Sequence, residues 1–105
     1  MSATIEYVRF DTDDPAALTA HREQLVELLK EHYGDGFQGA HLAQFDDGTV
    51  LDFIIWSSAA VAERAAKEMP TDPRTQGFFS RIGTVHEMRH AQVLHTASRA
   101  LCRFG

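Results

Sequence analysis

The stretch Val50-Leu51-Asp52-Phe53-Ile54-Ile55-Trp56 decides the fold. Its side chains alternate between two faces, as in any strand, yet both faces are apolar: Val50, Ile54 and Trp56 on one, Leu51, Phe53 and Ile55 on the other. A strand of this kind must be covered on both sides. It starts at Thr49, directly after Asp46-Asp47-Gly48, and the residues before that turn, Phe37 to Phe45, alternate again. An Asp-Gly pair between two alternating segments predicts a hairpin.

Working outward from that hairpin, Thr4 to Phe10 is a further alternating segment, with Ile5, Tyr7 and Arg9 on one face and Glu6, Val8 and Phe10 on the other. Asp14 and Pro15 form a helix start, a capping carboxylate followed by a residue pre-set for the first turn, and the helix is expected to run to Tyr33. Leu18, Leu25 and Leu29 centre its apolar face, and Gly34-Asp35-Gly36 ends it. Ser57 or Ser58 caps a second helix over Ala59 to Met69, which Pro70 stops. A short helical segment from Asp72-Pro73 gathers Phe78, Phe79 and Ile82, and a fourth strand is expected from Thr84 to about His95.

The order strand, helix, strand, strand, helix, strand predicts an α+β protein, a ferredoxin-like βαββαβ sandwich with a four-stranded antiparallel sheet over residues 1–95, followed by a tail at 96–105. Two helices shield only one face of such a sheet. The doubly apolar strand therefore calls for a second copy of the chain, packed sheet to sheet, and the expectation is a homodimeric α/β barrel.

Composition narrows the function classes. At 105 residues, 44% hydrophobic and 24% charged, the chain has the size of one soluble domain and can bury roughly 60–70% of its unfolded surface. No apolar run exceeds Phe53–Trp56, far short of the ~20 residues of a membrane helix. The first residues show no basic stretch leading into an apolar core, so a cytoplasmic location is expected. Only Lys30 and Lys67 accompany eight scattered arginines, against a net charge of −5, which argues against nucleic acid as a partner. The single cysteine, Cys102, forms no intrachain disulfide. Phosphate loops, zinc signatures and nucleophile elbows are all missing.

The element order, together with Leu51-Asp-Phe-Ile-Ile-Trp-Ser-Ser-Ala-Ala-Val61 and the later Pro70, Phe78-Phe79 and Ile82, resembles the antibiotic biosynthesis monooxygenase family of the dimeric α/β-barrel superfamily. The resemblance spans residues 4 to 94. It implies a cofactor-independent monooxygenase-like enzyme that oxidises an aromatic or polyketide-type substrate in a pocket of the homodimeric barrel. The family places an Asn four residues before its pocket tryptophan, where this chain has Asp52 ahead of Trp56, and the chain contains no asparagine at all. A carboxylate lacks the N–H donors of the amide.

From the residues themselves, Asp52 is a candidate general base, because a carboxylate set among apolar neighbours is costly to bury unless paired, hydrated or protonated; the alternative is an ion pair with an arginine or an edge position open to water. Trp56 is a candidate stacking surface for an aromatic molecule, the alternative being a core or interface residue. His86 and His90 are expected to share a strand-four face with Met88, opposite Val85, Glu87 and Arg89; at ~13 Å apart they do not chelate one metal, and each acts alone as base or ligand. His86 joins Asp52 and Trp56 as catalytic candidates. Tyr7, Arg9, His41, Ile54, His90 and Phe78 are candidates for holding a hydrophobic or aromatic small molecule. No metal and no cofactor are expected, while the histidines keep haem open as a ligand. Two rival readings use the same pocket: a cyclase or isomerase, and a non-catalytic protein that binds a small molecule or haem.

Overall fold

Four alternating segments become the strands of one antiparallel sheet in the computed structural model, which describes residues 2–97. These are β1 (Thr4–Phe10), β2 (Phe37–Gln44), β3 (Val50–Trp56) and β4 (Val85–Gln92). Their order in the sheet is β2-β3-β1-β4, so the two central strands are the most apolar ones. Register across the centre is unbroken, with Glu6 opposite Ile54 and Val8 opposite Asp52. The architecture is α+β and ferredoxin-like, as the element order predicts.

The helices start and stop where their chemistry directs. Helix α1 (Pro15–Tyr33) opens on Asp14, whose Oδ1 accepts from the Ala17 amide at 3.0 Å, and closes on Gly34 at φ 53°, a conformation that glycine adopts without penalty. Helix α2 (Ala59–Glu68) is capped by Ser58, whose Oγ accepts from the Val61 amide at 3.3 Å. Short 3₁₀ turns at Met69–Thr71 and Pro73–Thr75 lead into α3 (Gln76–Phe79). The buried Thr75 hydroxyl ties these turns together through the Met69 and Asp72 carbonyls, at 2.6 and 2.8 Å. In the β2–β3 turn Asp47 accepts from both the amide and the hydroxyl of Thr49, at 2.9 and 2.6 Å.

All three helices lie on one face of the sheet. Phe10, Val50, Ile54 and Trp56 from the strands pack there against Leu18, Leu25, Leu29, Ala62, Ala65 and Phe78. Along β3 the residues alternate strictly between buried (Val50, Asp52, Ile54, Trp56) and half-buried (Leu51, Phe53, Ile55). The half-buried set, with Ile5 and Tyr7 from β1, forms the second apolar face that the sequence demands, and the helices leave it open.

Three expectations are corrected. Strand four stops at Gln92 rather than His95. The second helix gives way to a 3₁₀ turn at Met69, since Pro70 lacks the amide that would continue it. β4 also slips by one residue between the pairs Arg9–Glu87 and Phe10–Val85, leaving His86 as the extra residue of a bulge. Val85 therefore lies opposite Phe10 as Met88 lies opposite Val8, and the predicted face partition of that strand fails at the bulge. Among the described residues no helix is long and apolar enough to cross a membrane. Cys102 and positions 98–105 of the expected tail lie outside the described residues.

Candidate functional site

Between the sheet and the helices lies a cavity of about 260 Å³. Val8 and Ile54 form its floor, Leu25 and Leu29 of α1 one wall, and Ala65 and Ala66 of α2 another. The small α2 side chains leave the volume that larger ones would fill. Met69, Pro70 and Phe79 close one end, held in place by the Thr75 hydrogen bonds; Val85 and Met88 of β4 line the far side. The lining is apolar except for two carboxyl groups, Glu6 and Asp52, which sit on adjacent central strands as diagonal neighbours, ~7–8 Å apart by strand geometry. A mostly apolar cavity with a few convergent polar groups is the form that small-molecule sites take.

The two carboxyls are in different surroundings. Asp52, 8% exposed, meets the equally buried Arg22 of α1, with Nη2 at 2.6 Å from Oδ1. Arg22 Nη1, Arg22 Nη2 and Asp52 Oδ1 nevertheless lack a hydrogen bond of proper direction, so this short contact is a charge pair made off the donor line. The Arg22 guanidinium also stands 5.5 Å from the centre of the Phe78 ring. Among the described residues no cation forms an ion pair with Glu6. Its Oε1 accepts from the Trp56 indole N–H at 3.0 Å, and burial pushes its carboxyl above the ordinary glutamate range. The indole bond offsets part of that rise; the charge of Asp52 adds to it, and those of His90 and Arg22 oppose it.

The structure divides the predicted site residues among several places. Asp52 and Ile54 line the cavity. Trp56 lies behind it, fully buried, its ring edge-on to Tyr33 at 5.4 Å and to Phe37 at 5.8 Å, so it offers no free face for stacking and acts through its N–H on Glu6. Phe78 is likewise packed into the core, and its neighbour Phe79 is the one that reaches the cavity. His90 lies across the ladder from Glu6 on β4, exposed. His86, displaced by the bulge, turns to the Asp11 carboxylate at 2.9 Å. Tyr7, Arg9 and His41 belong to the opposite, open face of the sheet, where Tyr7 and Arg9 border a shallow hollow with Phe45, Asp46 and Asp47, and His41 lies 6.2 Å from the Phe53 ring. They do not meet Asp52.

Two residues of the site go unnoticed in the sequence reading, and both carried a signal. Arg22 is four residues after Leu18, three before Leu25 and seven before Leu29, which puts a cation on the apolar stripe of α1. Glu6 shares its strand face with Val8 and Phe10. Among the described residues, no three His, Cys, Asp or Glu side chains gather in the manner of a metal site.

No protein-family model matches the chain, and no curated protein matches it. Solved structures do. The chain superposes on SnoaB, a cofactor-independent oxygenase from Streptomyces nogalater, with a TM-score of 0.65 and 14% identity over 95% of this chain and 99% of that one. It matches a Chloroflexus aurantiacus protein assigned by name to the antibiotic biosynthesis monooxygenases, with a TM-score of 0.62 and 14% identity over 92% and 98% of the two chains. A dimeric ferredoxin-like protein from an uncultured marine organism gives a TM-score of 0.64 at 10% identity, over 95% of each chain. At these identities the likeness is one of fold: the chain has the ferredoxin-like fold that structures named as antibiotic biosynthesis monooxygenases also have.

Proposed function

We propose that the chain is a homodimeric, cofactor-independent oxygenase-type enzyme that acts on an aromatic small molecule in the cavity between sheet and helices. The observation that carries this reading is the pair of carboxyls, Glu6 and Asp52, on the wall of an otherwise apolar cavity. Apolar walls hold a ring system, and a carboxylate placed among them takes a hydroxyl proton from it. The phenolate so formed is electron-rich enough to reduce O₂ directly. For 1-naphthol the balance is one O₂ consumed per 1,4-naphthoquinone and one water formed: one oxygen atom enters the ring, the other leaves as water, and the ring supplies four electrons. The name of the SnoaB neighbour agrees with such chemistry on this fold.

Residues 1–95 form the barrel subunit in this reading. The second copy covers the open sheet face, where Ile5, Tyr7, Leu51, Phe53 and Ile55 lie half-buried with Arg9, Arg89 and Glu87 around them. A cytoplasmic location goes with it. The site is then formed within each subunit, and Tyr7, Arg9 and His41 serve the subunit contact rather than the substrate. The test is an oxygen-electrode assay of the purified protein with 1-naphthol, with quinone followed by absorbance. Oxygen uptake matched to quinone supports the reading. Conversion of an enolisable substrate at the same rate without oxygen supports the cyclase or isomerase alternative, for which two carboxyls in unlike surroundings are equally apt. A stoichiometric Soret band on adding haem, with no turnover, supports the binding alternative, although no histidine lines the cavity to supply an axial nitrogen.

A further inference from the structure

We propose that Glu6, rather than Asp52, receives the hydroxyl proton of the bound molecule, that this molecule is a one- or two-ring aromatic hydroxyl compound, and that Trp56 is the residue that positions the acceptor. This deepens the reading of the cavity as the substrate site and rests on it.

The two carboxyls differ in what already occupies them. Asp52 is in charge contact with Arg22. Among the described residues the Trp56 indole is the one side chain that bonds Glu6, and it does so at Oε1, which leaves Oε2 for a ligand. The anchor is rigid, because the indole ring is itself wedged between Tyr33 and Phe37. The charged groups that face Glu6 are Asp52 from β3, His90 from β4 and Arg22 from α1, while α2 presents the uncharged Ala65 and Ala66. Burial moves the Glu6 carboxyl upward, toward the value near ~10 of a phenol, and a smaller gap makes it the better acceptor. In the step itself the ligand O–H bond breaks, its electron pair stays on the ligand oxygen, and an O–H bond forms at Glu6 Oε2. Size sets the class of molecule. A dry apolar cavity of ~150 Å³ holds a benzene ring, so about 260 Å³ has room for two fused rings.

The test uses 2-naphthol as the probe and calorimetric binding between pH 4.5 and 8 as the readout. A hydroxyl bonds an ionised carboxylate more strongly than a neutral one, so wild-type affinity rises about tenfold as Glu6 ionises. Glu6→Gln, nearly isosteric and checked for folding by circular dichroism, binds weakly at every pH and loses that rise. Trp56→Phe removes the bond that lowers the Glu6 titration, so the midpoint of the rise moves to higher pH; a merely loosened core would weaken binding at all pH values alike. Ala66→Phe fills the cavity and abolishes binding. A pH-dependent rise that survives in Glu6→Gln, or an unmoved midpoint in Trp56→Phe, overturns the assignment of Glu6 while leaving the cavity intact as the site. Absence of binding to the wild type, or binding that Ala66→Phe leaves unchanged, overturns the cavity reading and the assignment with it.

Discussion

Arg22→Leu removes the cation that faces Asp52 and leaves a carboxylate that is 8% exposed without a partner. Breaking a buried pair in this way costs about 3–5 kcal/mol, and for a domain of this size each kcal/mol is worth roughly 4–8 °C in Tm, so the variant should melt at least ~12 °C below wild type. Asp52→Val should be similarly damaging, because it strands a guanidinium that is 5% exposed. The double variant is the informative one. In the wild type Arg22 Nη1 and Nη2 and Asp52 Oδ1 are desolvated without well-directed hydrogen bonds, so the pair recovers little more than its Coulomb attraction. Replacing both with apolar side chains should return stability to within ~1 kcal/mol of wild type or above it, a coupling energy of at least ~5 kcal/mol. The assay is urea unfolding of the four proteins at one fixed concentration, since a dimer's midpoint depends on concentration. Single variants that each cost under ~1 kcal/mol, the worth of an exposed ion pair, would refute the description of Arg22 and Asp52 as a buried pair.

Three further outcomes are expected. Asp14→Ala removes the acceptor at the start of α1 and should cost about 1 kcal/mol, seen as a fall of roughly 4–8 °C in Tm; no shift would mean that the cap is idle. Phe53→Glu puts a charge at the centre of the open sheet face, and sedimentation should show wild-type dimers giving way to folded monomers; unchanged dimers would place the subunit contact elsewhere. For Glu6 the sign follows from a folded-state pKa raised above the unfolded one: the group is neutral to stability well below pH 4, and its burial as an anion costs stability as pH rises through the folded value. Glu6→Gln should therefore gain in thermal stability relative to wild type between pH 4 and pH 7, and a difference that is flat with pH would show that Glu6 is not desolvated.

Much of the fold can be read from local chemistry because each element carries its own punctuation. Asp14-Pro15, Gly34, Asp47-Gly48, Ser58 and Pro70 mark boundaries, and the structure finds strand β1 and helix α1 at the predicted residues. The β4 bulge has no such mark. A single extra residue in an otherwise regular alternation, His86, is decided by where Asp11 and Thr84 leave the ladder: the Asp11 amide bonds the Thr84 carbonyl at 2.9 Å and the Gly83 amide bonds the Asp11 carbonyl at 2.7 Å. That is a long-range constraint, and strict period-two counting runs straight through it.

The site was harder to see than the fold because alternation divides a strand into two faces without saying which face the helices take. By alternation alone Tyr7, Arg9 and His41 are as eligible to face a ligand as Asp52 and Trp56, whereas adjacent-strand pairing sets Tyr7 and His41 opposite Phe53 and Val8 opposite Asp52, on different faces. The information that settles sidedness lies in the mismatched charges. Helix α1 carries Arg22 in the middle of its leucine stripe, so packing that stripe on the face of Leu51, Phe53 and Ile55 would bury a guanidinium with no anion on β3 to meet it. The other face of β3 carries Asp52. Burying an unpaired charge costs several kcal/mol, more than any plausible difference in apolar burial between two faces so alike in composition. The helices must therefore cover the Asp52 face, and Glu6, two residues from Val8 on the neighbouring strand, is carried into the same cavity by the pleat alone.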